Sequence, residues 1–111
     1  MAWYQVVAGS WRGNAKMEEI AIQLAGAQWN RVWDRLTEQV WSMSRHERRG
    51  YIRARGALLV QEAVEQAVRQ RQMQPDSVAG LYVRAMEHVV SRVVEHMSTR
   101  QFQMQRVRRA A

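Results

Sequence analysis

Apolar residues recur every three or four positions from Ala15 to the C-terminal region, and only two places interrupt this period. The spacing puts them on one side of an α-helix, which turns once in about 3.6 residues. The first interruption, Ser44-Arg45-His46-Glu47, has a serine followed three residues later by a glutamate, as is typical of a helix N-terminus. The second is Pro75-Asp76-Ser77. Together they predict three helices, spanning about residues 15–43, 45–73, and 77–98 or as far as 108.

The joints between these helices are short, so consecutive helices are expected to run antiparallel. We therefore predict an all-α fold, an antiparallel bundle of three long helices that forms a single domain over residues 15–109. A chain of 111 residues suits one hydrophobic core. Residues 1–14 differ, because an aromatic and β-branched run is followed by glycine-containing turns. They are predicted to form an extended N-terminal arm.

Each predicted helix carries one apolar stripe that would face the core of the bundle. In the first helix the stripe consists of Ile22, Ala25, Trp29, Val32, Trp33, Leu36, Val40 and Met43. In the second it consists of Ile52, Gly56, Leu59, Val60, Ala63, Val64 and Ala67. In the third it consists of Val78, Tyr82, Ala85, Met86, Val89, Val93 and Met97. The many small residues of the middle helix would allow its neighbours to approach closely.

Two of the helices are apolar beyond a single stripe. The additional residues are Met17, Ile20 and Leu24 on the first helix and Val83, Val90 and Val94 on the third. So much apolar surface needs a cover, so we expect the bundle to be completed by dimerisation. The arm residues Trp3, Tyr4 and Trp11 are expected to dock on the Met17 face, either within the chain or across the dimer. A monomer closed by its own arm is the alternative.

The formal net charge is +7, from 17 basic and 10 acidic residues, and a basic small domain tends to meet anionic partners. Antiparallel topology should bring the start of the second helix and the end of the third to one end of the bundle. Nine arginines would gather there: Arg45, Arg48, Arg49, Arg53, Arg55, Arg100, Arg106, Arg108 and Arg109. Since a guanidinium group can bind two phosphate oxygens, we expect this end to associate with a nucleic-acid backbone, DNA or RNA, without reading its sequence, or with a nucleoprotein assembly.

Two other interpretations stay open. The arginines could instead cap the bundle and pair with glutamates of a partner subunit. The protein could also be a structural or adaptor protein that binds another protein through its apolar helix faces and its aromatic arm. Nucleic-acid binding would then not be its role.

Several classes of function are disfavoured by the motifs that are missing. The chain has no Cys, no Gly-x-Ser-x-Gly elbow, no Gly-rich phosphate loop and no Glu-x-x-His pair. We therefore expect no enzyme, no cofactor and no metal site, and His46, His88 and His96 are interpreted as solvated. No signal peptide, membrane span or other membrane association is expected either. Absence of Cys fits a reducing compartment, which indicates the cytoplasm.

Overall fold

A computed structural model describes the backbone of residues 2–110 and the side chains of residues 13–110. It contains three α-helices, α1 (Ala2–Trp33), α2 (Arg45–Gln70) and α3 (Ser77–Ala110), and a short 3₁₀ helix at Glu38–Ser42. Each α-helix packs against the other two. The chain runs up, down and up, so α1 and α3 are parallel to each other and α2 is antiparallel to both. The prediction of an all-α bundle of three long helices is confirmed.

The start of α2 agrees with the prediction. Ser44 is the N-cap, and its Oγ accepts a hydrogen bond from Glu47 N at 3.3 Å while donating one to Glu47 Oε1 at 2.9 Å. This is the reciprocal arrangement of a capping box. All members of the predicted α2 stripe are buried except Ala63, which is partly exposed. The hydrophobic period of this helix therefore identified its core face.

The end of α2 comes earlier than predicted, at Gln70 rather than near residue 73. Gln72 has a φ of 52°, in the left-handed region that an α-helix cannot continue through. The amide of Gln72 donates to the carbonyl of Arg69, and that of Met73 to the carbonyl of Val68. These two bonds make a Schellman motif, which usually has Gly or Asn at the left-handed position. Because Gln stands there instead, the sequence lacked the usual signal for this helix end.

The prediction of one helix over residues 15–43 is wrong at its C-terminal side. α1 ends at Trp33, and the chain is extended at Thr37, with φ −101° and ψ 170°. Tyr51 of α2 holds this bend, because its hydroxyl accepts from Thr37 N at 3.1 Å and lies 3.0 Å from Thr37 Oγ1. The chain then folds back, which brings Val40 into the core with 2% of its surface exposed.

The extended arm predicted over residues 1–14 is not confirmed. α1 begins at Ala2, so the backbone there is helical. A helix satisfies its backbone hydrogen bonds internally, whereas a single extended segment needs a partner strand, which this all-α chain does not offer in its described part. The docking predicted for Trp3, Tyr4 and Trp11 concerns side chains that lie outside the described residues.

The surplus apolar surface predicted to form an interface is mostly inside the bundle. Ile20 is 3% exposed and Val90 fully buried, and Met17, Leu24 and Val94 pack against the core cluster. Of the six residues only Val83 is exposed, and Ile22, predicted to face the core, is half exposed instead. In a three-helix bundle each helix contacts two neighbours, so it needs a wider apolar face than a helix that contacts only one. Five of the six residues therefore pack within the bundle, and the dimer predicted from them is not confirmed.

α3 follows the longer of its two predicted lengths and runs to Ala110. Every residue from Ser98 to Ala110 is exposed, so the last turns of the helix extend beyond the core. We call residues 98–110 the α3 overhang. Among the residues described, no helix is both long and apolar enough to cross a membrane.

Gly56 of α2 lies close against Val32 of α1, so a substitution there tests the packing of the two helices. A Cβ at Gly56 would lie 3.0 Å from Val32 Cγ2, so Gly56→Ala is expected to crowd the core. Overpacking costs about 1–3 kcal/mol, and the better helix propensity of Ala returns about 1 kcal/mol. We expect a net loss of unfolding free energy of up to about 2 kcal/mol, measured by urea denaturation.

Gly26→Ala is the matched control, because no atom lies within 4 Å of a Cβ at Gly26. Here only the propensity effect acts, so the variant should be more stable by about 0.5–1 kcal/mol. The two substitutions should change stability in opposite directions. Equal stabilisation by both would show that α1 and α2 are not in close contact at Gly56.

Candidate functional site

The start of α2 and the end of α3 lie at the same end of the bundle, as predicted. The ion pair between Arg53 and Glu87 shows which residues of α2 and α3 lie opposite each other. Because the two helices are antiparallel, Arg45 comes level with the region of Glu95, and the α3 overhang continues past it. At about 1.5 Å per residue the overhang is about 20 Å long. The nine arginines therefore form two groups, one on α2 and one on the overhang.

Arg48 stabilises the joint between α1 and α2 through hydrogen bonds to backbone carbonyls. Its Nε donates to the carbonyl of Val40 at 3.2 Å, and its Nη2 donates to the carbonyls of Trp41 and Met43 at 3.4 and 3.3 Å. These carbonyls lie at the end of the 3₁₀ helix and just after it, and the carbonyl of Val40 also accepts from Met43 N. Arg48 is half-buried against them. Its guanidinium is therefore a structural group of the joint rather than a group free to bind phosphate.

Arg49 and Arg53 share one carboxylate across the contact of α2 with α3. Arg53 Nη2 lies 2.6 Å from Glu87 Oε1, and Arg49 Nη2 lies 3.8 Å from Glu87 Oε2. The hydrogen bond from Arg53 holds the pKa of Glu87 below its usual value. Glu87 therefore stays ionised at neutral pH and neutralises much of the positive charge of this pair.

Arg55 is also engaged within α2. Its guanidinium carbon lies 5.3 Å from the centre of the Tyr51 ring, within range of a cation–π contact. The Tyr51 hydroxyl in turn accepts the hydrogen bond from Thr37, which lowers the pKa of the phenol. Four of the five arginines predicted on α2 thus have partners inside the chain.

The remaining five predicted arginines have none in residues 13–110. They are Arg45, Arg100, Arg106, Arg108 and Arg109, and no carboxylate of the described part lies within ion-pairing distance of them. All five are exposed. No acidic residue follows Glu95 in the sequence, so the overhang carries four positive charges and no negative ones. It is a strongly basic helix surrounded by solvent.

The overhang also exposes apolar side chains. Phe102 is 61%, Met104 47% and Val107 70% exposed. Met104 and Val107 continue the core stripe of α3 beyond Met97, but neither α1 nor α2 covers them. The overhang therefore combines four cations with an uncovered apolar strip.

An aromatic cluster lies where α1 and the first joint meet α3, just below the overhang. The His96 ring centre lies 5.1 Å from that of Trp29 and 4.6 Å from that of Trp33, and Trp41 meets Trp33 edge-on at 6.2 Å. Arg92 covers the outer face of Trp29 at 5.5 Å. The sequence predicted Trp29 and Trp33 as core and His96 as solvated. Trp29 and Trp33 do pack against the core cluster, with part of each side chain exposed, whereas His96 contacts both of them and joins α1 to α3.

A second contact between α1 and α3 was also missed from the sequence. Glu18 accepts a hydrogen bond from Arg84 Nη1 at 3.0 Å, and its other oxygen meets His88 Nε2. The hydrogen bond with His88, followed by that with Arg84, lowers the pKa of Glu18. His88 is therefore not the freely solvated histidine that was predicted. Only the rotation of α1 against α3 brings these residues together, and the sequence does not specify that rotation.

No group of three or more potential metal ligands occurs among the described residues. The arrangement at this end of the bundle offers exposed cations beside a partly exposed aromatic cluster. Comparison of the chain with protein-family models, curated proteins and solved structures found no match.

Proposed function

We propose that this chain is a non-enzymatic helical module that binds the phosphate backbone of nucleic acid through the α3 overhang, with help from Arg45. The observation that carries the proposal is the overhang itself, an exposed helix with four arginines and no acidic residue. Arginine binds phosphate oxygens in bidentate fashion and remains charged at every physiological pH. The chain has no cysteine, which is compatible with the cytoplasm, and we propose that the protein is located there.

The proposal assigns different roles to the two groups of arginines. The α2 arginines other than Arg45 pair with Glu87, donate to backbone carbonyls or stack on Tyr51, so an anion would have to displace an existing contact. Those of the overhang have no such contact to give up within the described part of the chain. Affinity should therefore come mainly from the overhang and should decrease steeply with salt, because binding releases counterions from the phosphates.

A second candidate function is the binding of another protein or of a second copy of this chain. It is favoured by the exposed apolar residues of the overhang, Phe102, Met104 and Val107. A homodimer remains part of this second proposal, although most of the residues predicted to form it pack within the bundle and only Val83 of the six is exposed. Light scattering tests it, since a dimer would have twice the mass of the 13.0 kDa chain.

The nucleic-acid proposal is tested with two triple variants that remove the same charge from opposite ends of the bundle. The first replaces Arg106, Arg108 and Arg109 of the overhang by Gln. The second replaces Lys16, Arg69 and Arg71, which are exposed at the other end, by Gln. Gln keeps a high helix propensity, so circular dichroism should show unchanged helix content in both variants.

Binding is measured by fluorescence anisotropy on a random-sequence DNA duplex over a series of salt concentrations. The overhang variant should bind more weakly, and the slope of log K against log salt should be shallower by about 2.7, for three lost phosphate contacts. The control variant should keep nearly the full slope. Equal losses in both would mean that net charge alone drives binding. If the unmodified protein binds neither this duplex nor single-stranded DNA nor an RNA duplex even at low salt, the proposed function is wrong.

A further inference from the structure

We propose that the α3 overhang enters the major groove of B-form DNA. This inference rests on the proposed function and names the nucleic acid that the overhang fits. It follows from the way the arginines are distributed around the helix, from the dimensions of the uncovered segment and from the side chains that lie between the arginines. Each of these is a property of residues 98–110.

The four arginines of the overhang do not share one face. At about 100° per residue, Arg106, Arg108 and Arg109 lie at roughly 240°, 80° and 180° from Arg100 around the helix axis. No side of the helix wider than about 120° is without an arginine. A helix that lies on a flat anionic surface uses charges on one side only. A helix placed between two rows of phosphates uses charges on both of its flanks, which is the distribution seen here.

The overhang has the size and the accessibility that a groove requires. An α-helix with its side chains is about 10–12 Å in diameter, and the major groove of B-form DNA is about 12 Å wide. All residues of the overhang are exposed, so no other described element blocks its approach over the whole of its length. The major groove of an A-form RNA duplex is deep and narrow, and side chains cannot read it. The overhang therefore fits duplex DNA and not duplex RNA.

The side chains between the arginines are of types that meet base edges. Arg106 and Arg108 lie about 160° apart and form two flanks of the helix, and Gln103, Met104 and Val107 lie between them on the side of Arg100. Gln103 can donate and accept hydrogen bonds, and no carboxylate is present to repel the phosphates. Met104 and Val107 offer apolar contact for the methyl group of thymine, which lies in the major groove. Exposed apolar residues on a basic helix would otherwise be left in water. Entry into the major groove brings them into contact with the edges of the bases.

The test compares four probes of the same length and sequence by fluorescence anisotropy at one salt concentration. They are a DNA duplex, the same duplex with glucosylated 5-hydroxymethylcytosine, an RNA duplex and the single DNA strand. The sugar of the modified base fills the major groove but leaves the phosphates unchanged. We expect the plain DNA duplex to bind about tenfold or more tightly than the other three, comparable to the loss of one bidentate base contact.

The triple Arg106, Arg108 and Arg109→Gln variant should lose this preference together with its affinity, and the Lys16, Arg69 and Arg71→Gln control should keep both. Equal binding of the plain duplex, the glucosylated duplex and the RNA duplex by the unmodified protein would overturn groove entry while the proposed function stands. Preference for the single strand would also overturn it. If the protein binds none of the four probes, both the inference and the proposed function fail.

Discussion

Replacing Leu81 by Ala is expected to lower the free energy of unfolding by about 2–5 kcal/mol, the range typical of buried leucines. Leu81 has no exposed surface and belongs to the core cluster in which α1, α2 and α3 meet. Removal of its side chain leaves a cavity that three long helices cannot close without shifting against each other. In a domain of this size such a loss lowers the melting temperature by about 10 °C or more.

Leu58→Ala is the matched control, since it makes the same substitution on a leucine that is 69% exposed. It should change stability by no more than about 0.5 kcal/mol. Both variants are measured by thermal and urea denaturation followed by circular dichroism. A loss at Leu58 as large as that at Leu81 would mean that Leu58 is buried in solution, against a partner protein or a second copy. That result would favour the second candidate function.

Local sequence signals sufficed for the start and the core face of α2 because the features that define them lie within the helix. The capping box from Ser44 to Glu47 needs only residues three apart, and the stripe from Ile52 to Ala67 contains no competing apolar face. Leu58, which is not part of this stripe, is exposed. A helix of this kind is predicted well because local and tertiary preferences agree.

The break in α1 could not be predicted in the same way. The apolar period continues past Trp33, so the pattern favours one long helix up to Met43. What ends the helix is a contact between Thr37 and Tyr51, which are 14 residues apart. The choice between the faces of α1 was equally undetermined, because Ile20 and Ile22 lie on nearly opposite sides and are similarly apolar. Only the packing of α2 and α3 decides that Ile20 is buried and Ile22 exposed.

The candidate site was predictable in its location but not in its composition. Topology alone indicated that the starts and ends of the helices would bring arginines together at one end. The partner of each arginine depends on the joint and on the rotation of the helices. Glu87 and the carbonyl of Val40 are such partners, and they separate the α2 arginines from those of the overhang.

Arg48→Ala is expected to destabilise the protein, whereas Arg45→Ala should not. The guanidinium of Arg48 donates to three carbonyls of the joint, and hydrogen bonds from charged groups contribute about 1.5–3 kcal/mol. Because these bonds are long and only partly buried, we expect a loss of about 1–3 kcal/mol in the free energy of unfolding. Arg45 is exposed and makes no ion pair with the described residues, so its removal should cost at most about 0.5 kcal/mol.

In nucleic-acid binding the order of the two variants should be reversed: Arg45→Ala should have an effect and Arg48→Ala should not. Each removes one positive charge, so a general effect of net charge would act equally on both. If Arg45 contacts phosphate, Arg45→Ala should make the slope of log K against log salt shallower by about 0.9, and Arg48→Ala should leave it unchanged at temperatures where the variant is folded. A shallower slope with full stability for Arg48→Ala would show that its guanidinium is available to phosphate and does not hold the joint. In that case Arg48 would belong with the phosphate-binding arginines, because its contacts within the chain would not prevent its guanidinium from binding phosphate.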